Sequence, residues 1–459
     1  MSALGDILVL GLGSSGEAAA SYCASLLGTE VDSVTAADSG ADDALRERAT
    51  RLEALGVRVH VGVDRLDGEY ETTIASPGIP PHAPLMVSAR GVSQRVVSEI
   101  EFAWERSTVP WVAITGTNGK TTTTALVAHL MTEGGVAARP VGNIGPPAIT
   151  AVLKGGPDVL VAEVSSFQLA LTQRFHPRVA VVLNITPDHV DWHGSLESYV
   201  ADKSRILANL DADDVAVIDV DDEGSARLVE AALQRGARVV RVSREELPGG
   251  GAGLVGGVLT LSTSSGPVEL VSADELLIRG PHNVSNALAA AAAAHAMGVG
   301  ITALRCGLRC FEPIEHRLEP VGEACGAEWF NDSKATNPDA VLKALAAFGD
   351  RPLVLLLGGR NKNNDMRPLA HAAAQRALSV VCFGEAGTEI AQAFETQPGA
   401  GVFTVAGLAD AVAQASELAV PGGAVVLSPA CASFDEFSNY EQRGRAFKDL
   451  VARLECEES

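Results

Sequence analysis

The segment Thr115-Gly116-Thr117-Asn118-Gly119-Lys120-Thr121-Thr122 carries the clearest chemistry. It follows the apolar run Trp111–Thr115 and opens a helical pattern from Lys120 to Met131. Its two glycines permit a tight turn, and successive backbone N–H groups of Gly116, Thr117, Asn118, Gly119 and Thr122 can cradle phosphates. Lys120 can neutralise β/γ oxygens, and the Thr121 hydroxyl can reach Mg²⁺. The loop is shorter than the standard phosphate-binding pattern, whose first glycine would fall at Ile114. The strand–loop–helix setting argues against a chance Gly-Lys-Thr.

A second glycine loop, Gly11-Leu12-Gly13-Ser14-Ser15-Gly16, also lies between a strand and a helix, and Asp38 ends the next strand. Glycines there allow close backbone approach, and the helix start favours a phosphate. The motif alone leaves three readings open: an NAD site with Asp38 on a ribose, another nucleotide, or a ligand-free turn. Further candidates follow the first loop. Glu163 ends an apolar strand and is placed to bind Mg²⁺, or is a turn glutamate. Asn184-Ile185-Thr186-Pro187-Asp188-His189-Val190-Asp191-Trp192-His193 crowds two histidines and two aspartates together. That suggests metal or phosphate chemistry, although helix capping explains Asp188 and Asp191 well. Lys203 by itself reads as a solvated helix lysine.

Alternating β-rich runs and alanine-rich helical patterns must position these residues, which means α/β units with largely parallel sheets. The expected strands include Ile7–Leu10, Val159–Ala162, Val179–Leu183, Val215–Ile218, Val354–Leu357, Val380–Phe383 and Val425–Leu427. The 459 residues suit about three domains, with 47% hydrophobic and 20% charged residues excluding a disordered chain. A net charge of −22 argues against general nucleic-acid binding and against docking to an anionic membrane. No apolar stretch reaches the ~18–20 residues of a membrane span. The run Ile7–Leu10 is too short for a signal-peptide core, so a cytoplasmic protein is expected. Seven scattered cysteines argue against a disulfide framework. Cys306 and Cys310, four apart, read as two small core residues rather than a metal pair.

The ordered set Gly-Thr-Asn-Gly-Lys-Thr, Glu163-Val164-Ser165-Ser166-Phe167-Gln168-Leu169, Asn184-Ile185-Thr186-Pro187-Asp188-His189 and Gly280-Pro281-His282-Asn283-Val284-Ser285-Asn286 closely resembles the Mur ligases. These are ATP-dependent amide-forming enzymes of peptidoglycan precursor synthesis. In the last third, Asn331-Asp332-Ser333-Lys334-Ala335-Thr336-Asn337-Pro338 and Ser428-Pro429-Ala430-Cys431-Ala432-Ser433-Phe434-Asp435 are similar to the members that add D-glutamate.

The resemblance implies three domains. These are a Rossmann-like domain at 1–108 for a UDP-linked substrate, a P-loop ATPase-like parallel sheet at 109–312, and a Rossmann-like domain at 313–459 for the amino acid. It implies ATP, D-glutamate and UDP-N-acetylmuramoyl-L-alanine as ligands of a monomeric enzyme. Ser14, Ser15, Asp38, Ser39 and Gly78 would contact the uridine diphosphate, which resolves the first motif against NAD. Asn143 would face the sugar-phosphate side, and Ser165 would also bind the substrate. Lys120 would bind ATP phosphates, while Asn283, Arg317 and Asp332 would hold the adenosine side. Thr121, Glu163, His189 and Lys203 would hold two Mg²⁺ ions, with Lys203 carbamylated by CO₂. Lys334 would stabilise an acyl phosphate. Thr336, Lys362, Ser433, Phe434 and Tyr440 would form the D-glutamate pocket. Three positions depart from the family pattern: Tyr440 where relatives carry Phe, Asn361 and Asn363 flanking Lys362, and Trp192 in place of a basic residue. Only seven of the 35 cationic side chains are lysines, and four of them, Lys120, Lys203, Lys334 and Lys362, fall among these positions.

Overall fold

Runs of β-branched and leucine residues with no polar alternation form strands that are buried on both faces, as parallel sheets require. In Leu353–Gly358, Leu353, Leu355 and Leu357 enter one apolar cluster while Val354 and Leu356 enter another. In Gly5–Leu10, Ile7 and Val9 face one core and Leu8 and Leu10 a second. The computed structural model describes residues 4–188, 190–361, 364–395, 397 and 399–458. His189 and Lys362 therefore lie outside the described residues.

Among the described residues there are three sheets. The first has five parallel strands in the order Arg58–Val61, Val31–Asp38, Gly5–Leu10, Tyr70–Ala75, Ser93–Ser98. The second has a parallel core in which Trp111–Thr115 lies between Val179–Val182 and Val159–Glu163. Ala138–Gly142 closes one edge of that sheet. At the other, the antiparallel run Ala252–Val255, Val258–Thr263 and Gly266–Ser272 extends it. The third sheet pairs Ala424–Ala430 with Ala327–Asn331 on one side and Leu353–Gly358 on the other.

These orders decide the geometry of function. Loops that follow adjacent parallel strands share the carboxyl edge of the sheet, where open α/β sheets bind ligands. Thr115, Glu163 and Val182 thus end three neighbouring strands, and Asn331, Gly358 and Ala430 end another three.

The chain divides into two compact units. One holds the first two sheets, reaching to Glu275 and including Ser285–Cys310; the other holds Leu276–Val284 and the chain from Phe311. In the first unit one apolar cluster joins Ile7, Val34 and Ile74 of the first sheet to Trp111, Leu160 and Ala180 of the second. A buried carboxylate adds a polar tie. Glu101, fully buried on the helix Glu99–Arg106, accepts from the backbone N–H groups of Gln173, Arg174 (3.0 Å) and Phe175 (3.2 Å) through one oxygen.

Several strands escaped the sequence reading for local reasons. Ala138–Gly142 contains Arg139 and Pro140, which only an edge strand tolerates. Tyr70–Ala75 carries Glu71, Thr72 and Thr73. The reading of Cys306 and Cys310 as core residues is corrected, since both are exposed. The helix Ile301–Cys310 buries Leu304, Gly307 and Leu308, and the two cysteines fall off that stripe. No helix of the described residues is long and apolar enough to cross a membrane.

Replacing Glu101 with alanine strands three backbone donors and should cost roughly 3 kcal/mol. A clear drop in the thermal unfolding midpoint is expected, and an unchanged midpoint would show that the segment 173–175 is held by other contacts.

Candidate functional site

In the first unit the loop 116–119 leaves Trp111–Thr115 and enters the helix Lys120–Glu133. Gly119 caps that helix at φ 84°, and a side chain there would meet Asn286 Oδ1 at 2.3 Å, so both conformation and space demand glycine. The loop is braced from the adjacent strand end. Thr117 N donates to Asn184 O (2.7 Å), and Asn118 N donates to the Asn184 side chain (2.8 Å), which returns a bond to Asn118 O (3.0 Å). Thr117 Oγ1 donates to Thr186 O (3.0 Å) and meets the Tyr199 hydroxyl (3.0 Å).

Two ammonium groups converge on this loop. Lys120 Nζ donates to Gly116 O and Thr117 O, both at 2.9 Å, and Lys203 Nζ donates to the same Gly116 O at 2.7 Å. Lys203 is 1% exposed and lies 4.7 Å from the centroid of the Tyr199 ring. Burial, reinforced by the Lys120 charge, holds its pKa well below the ordinary lysine value against the pull of Asp188 and Glu163. The reading of Lys203 as a solvated lysine is thereby excluded. Glu163 is also buried: Oε1 accepts from Asn143 Nδ2 at 2.8 Å, while Oε2 is buried with no hydrogen-bond partner among the described residues. A sequestered carboxylate oxygen beside the loop and the buried Thr121 is the donor set a hard cation takes.

The His/Asp-rich segment divides by role. His193 is committed to the fold, with Nδ1 on Asp202 (2.8 Å), Nε2 on Ser166 (2.9 Å) and its ring stacked on Phe167. Trp192 packs at 4.7 Å from Phe167 and 4.5 Å from His193, which accounts for an apolar residue there. Ser165 forms a capping box with Gln168, so its hydroxyl serves the start of a helix.

At the first glycine loop, Gly16 packs so closely that a side chain would meet Gly11 O at 1.7 Å. Asp38 pins the turn by accepting from Leu12 N (2.7 Å) and Gly40 N (2.8 Å). Ser14, Ser39 and Gly78 are exposed and Ser15 is half-buried. Ser39 and Gly78 lie in loops beyond the carboxyl edge of the first sheet, and Ser14 and Ser15 open the helix Ser14–Ala24 there, where strand order reverses around Gly5–Leu10.

The second unit gathers the remaining candidates around the carboxyl edge of its sheet. Asp332 accepts from Ser428 Oγ (2.7 Å) and Leu318 N (3.3 Å). Burial pushes its pKa up to about 7, opposed by the Ser428 hydrogen bond and the Arg317 charge. Lys334 stands 5.3 Å from the Tyr440 ring centroid. Ser433 is buried, Thr336 half-buried and Phe434 60% exposed. Asn283 donates to Arg279 O at 2.7 Å.

Arg443 was missed by sequence reasoning and organises this cluster. It is 1% exposed and donates to Ser333 Oγ (3.0 Å), Ser333 O (2.9 Å) and Cys431 O (3.1 Å), joining the loops after two strands. Tyr199 and Asn184 were missed as buttresses of the first loop. Asn184 had a signal in its place directly after an apolar strand; the other two gave none, because their partners are distant in sequence.

A model of the Mur ligase middle domain matches residues 114–294, and one of the Mur ligase glutamate ligase domain matches residues 316–431. The UDP-N-acetylmuramoylalanine–D-glutamate ligase of Pelotomaculum thermopropionicum is 40% identical over 98% of this chain and 97% of its own. That of Acidobacterium capsulatum is 40% identical over 97% and 95%. Among solved structures, the UDP-N-acetylmuramate-alanine ligase of Thermotoga maritima aligns with a TM-score of 0.60 at 20% identity, covering 98% of this chain and 99% of its own. A pseudomurein peptide ligase of Methanothermus fervidus aligns with a TM-score of 0.60 at 18% identity over the same shares.

Asp332 yields a pH prediction. Its folded pKa, about 7, lies above the ordinary 3.8, so the folded chain keeps a proton that the unfolded chain has lost. The stability this proton supplies is present at low pH and declines as pH rises from 3.8 through about 7. Unfolding midpoints across that range should fall less steeply in Asp332→Asn than in the parent chain. Parallel curves would place the carboxylate's titration elsewhere.

Proposed function

This chain belongs to the Mur ligase family, and from that premise we propose how its residues carry the reaction. It is a ligase that adds D-glutamate to UDP-N-acetylmuramoyl-L-alanine at the expense of ATP, in peptidoglycan precursor synthesis. A carboxylate is a poor electrophile because its oxygen leaves badly. Transfer of the γ-phosphoryl group to the substrate carboxylate creates an acyl phosphate; the amine of D-glutamate attacks the acyl carbon and phosphate departs. The protein's part is positioning and charge neutralisation.

The observation that carries this reading is the pair of lysine ammonium groups on Gly116 O beside the half-satisfied Glu163. Lys120, with the loop amides of Gly116, Thr117, Asn118 and Gly119 and the start of the helix at Thr121 and Thr122, holds the ATP phosphates. Thr121, Glu163, His189 and Lys203 would hold Mg²⁺ at two positions, and when bound the ions neutralise phosphate charge and polarise the transferred group. Residues 1–108 take the UDP moiety through Ser14, Ser15, Asp38, Ser39 and Gly78, with Asn143 and Ser165 beyond it. Residues 109–312 take the ATP phosphates. Residues 313–459 take D-glutamate through Thr336, Lys362, Ser433, Phe434 and Tyr440. Asn283, Arg317 and Asp332 face the adenosine, and Lys334 stabilises the acyl phosphate. A reaction fed by ATP and a UDP-linked sugar belongs in the cytoplasm.

Lys203 is suited to carbamylation. Its pKa, held well below the ordinary lysine value by burial and the Lys120 charge, eases loss of the ammonium proton, and the freed lone pair can bond to the carbon of CO₂ with release of a second proton. The carbamate replaces a buried cation, facing a second cation at Lys120, with an anion. That inverts the local charge in favour of Mg²⁺.

Phosphate release should depend on D-glutamate and not on L-alanine; the opposite dependence would overturn the assignment. The ¹³C spectrum of protein equilibrated with labelled bicarbonate should show a carbamate resonance that Lys203→Ala lacks. Its persistence in that variant would locate the carbamate elsewhere. Lys362→Ala should chiefly raise the KM for D-glutamate, and an unchanged KM would remove Lys362 from the pocket.

A further inference from the structure

The helix that begins at the phosphate loop has a second cluster of reactive groups near its far end. Lys120–Glu133 packs against Ile301–Cys310, and each helix presents a pair of ligand-type side chains one turn apart. These are His129 and Glu133 on the first, Cys306 and Cys310 on the second. Residues i and i+4 share a helix face, so the two pairs can meet across the seam.

Gly307 makes the close approach possible. A side chain there would meet Leu130 Cδ2 at 2.7 Å, and it would lie 3.3 Å from Glu133 Cγ and 3.5 Å from His129 Cδ2. His129 Nε2 stands 3.4 Å from Cys310 Sγ. Ligand atoms of His129, Glu133 and Cys310 all fall within 4.8 Å of one another. Cys306, one turn earlier on the same helix and exposed, lies outside that set. The cations of the same helix are engaged elsewhere: Arg309 pairs with Glu275 and Arg305 donates to Glu269 O.

A tetrahedral ion with bonds of ~2.3 Å to sulfur and ~2.0 Å to nitrogen separates these two ligand atoms by about 3.5 Å. The sulfur–nitrogen distance already matches that value. A thiol, an imidazole and a carboxylate form a borderline-soft donor set, which selects zinc over the hard Mg²⁺ of the nucleotide loop. We infer that His129, Glu133 and Cys310 form a zinc site that clamps the phosphate-loop helix to the helix Ile301–Cys310. The three ligands come from both helices, near the end of the first that is remote from the phosphate loop, so the site is separate from the ligation chemistry.

The test uses the full chain, reduced, stripped with chelator and desalted, with excess Mg²⁺ to occupy the nucleotide site. Titration with Co²⁺ should give a thiolate-to-cobalt absorption band and tetrahedral ligand-field bands that saturate at a single equivalent and vanish when Zn²⁺ is added. Cys310→Ser and His129→Ala, both at the surface end of the seam, should keep the parent circular dichroism. Each should lose zinc affinity by more than the roughly 10–100-fold that removal of a supporting partner causes. Zinc should raise the unfolding midpoint of the parent and not of Cys310→Ser. Absence of the thiolate band in the parent chain would overturn the site, as would its persistence in Cys310→Ser. None of these readouts depends on ligase turnover.

Discussion

A buried lysine that shares a carbonyl with another lysine is a costly arrangement, and much of the first unit is organised around it. Desolvation and the neighbouring ammonium both disfavour the charged form of Lys203. Partial relief comes from Gly116 O, from the face of the Tyr199 ring and from the carboxylates Asp188 and Glu163. Tyr199 in turn meets Thr117 in the loop, and its ring packs on His193, which is fixed by Asp202 and Ser166. The segment Asn184–Thr186 closes the shell by hydrogen-bonding the backbone of Asn118 and the side chain of Thr117. The site is thus a cationic cradle in which two ammonium groups converge on one carbonyl.

Strand order does the rest of the positioning. With Trp111–Thr115 between Val159–Glu163 and Val179–Val182, the phosphate loop, the metal-type carboxylate and the bracing asparagine emerge side by side. The same rule operates in the third sheet, where Ala424–Ala430 lies between Ala327–Asn331 and Leu353–Gly358. There Arg443, buried and bonded to Ser333 and Cys431, ties together the loops that follow two of these strands. Desolvation holds its pKa down at about 10, so it remains a cation at neutral pH. Ala430 adopts φ 62° at the turn out of its strand, a conformation that costs a non-glycine residue roughly 1–2 kcal/mol. Strain of that size persists where surrounding structure imposes it, as it does around binding loops.

The zinc site proposed at the other end of the phosphate-loop helix depends on a different contact. Gly307 lets two helices approach until His129 and Glu133 of one and Cys310 of the other can share one ion. It illustrates how an α/β unit can carry an ion away from its sheet edge, on a seam that neither the strand pattern nor the loop motifs identify.

The sequence by itself determined the parallel α/β class, the phosphate loop, the strand-ending Glu163 and the motif order that marks the family. Those properties are written in local patterns: apolar runs, glycines at turns and chemical groups directly after strands. Strands such as Ala138–Gly142 were illegible, because an edge position tolerates a proline and an arginine that a central strand would reject. Tertiary structure decided what local pattern leaves open. It buried Lys203, which a helical sequence context reads as solvated, and exposed Cys306 and Cys310, which composition reads as core. It committed His193 to the fold and drew Arg443 into the centre of the third sheet's loops. Each of these outcomes depends on burial and on partners distant along the chain, and only packing brings such groups together.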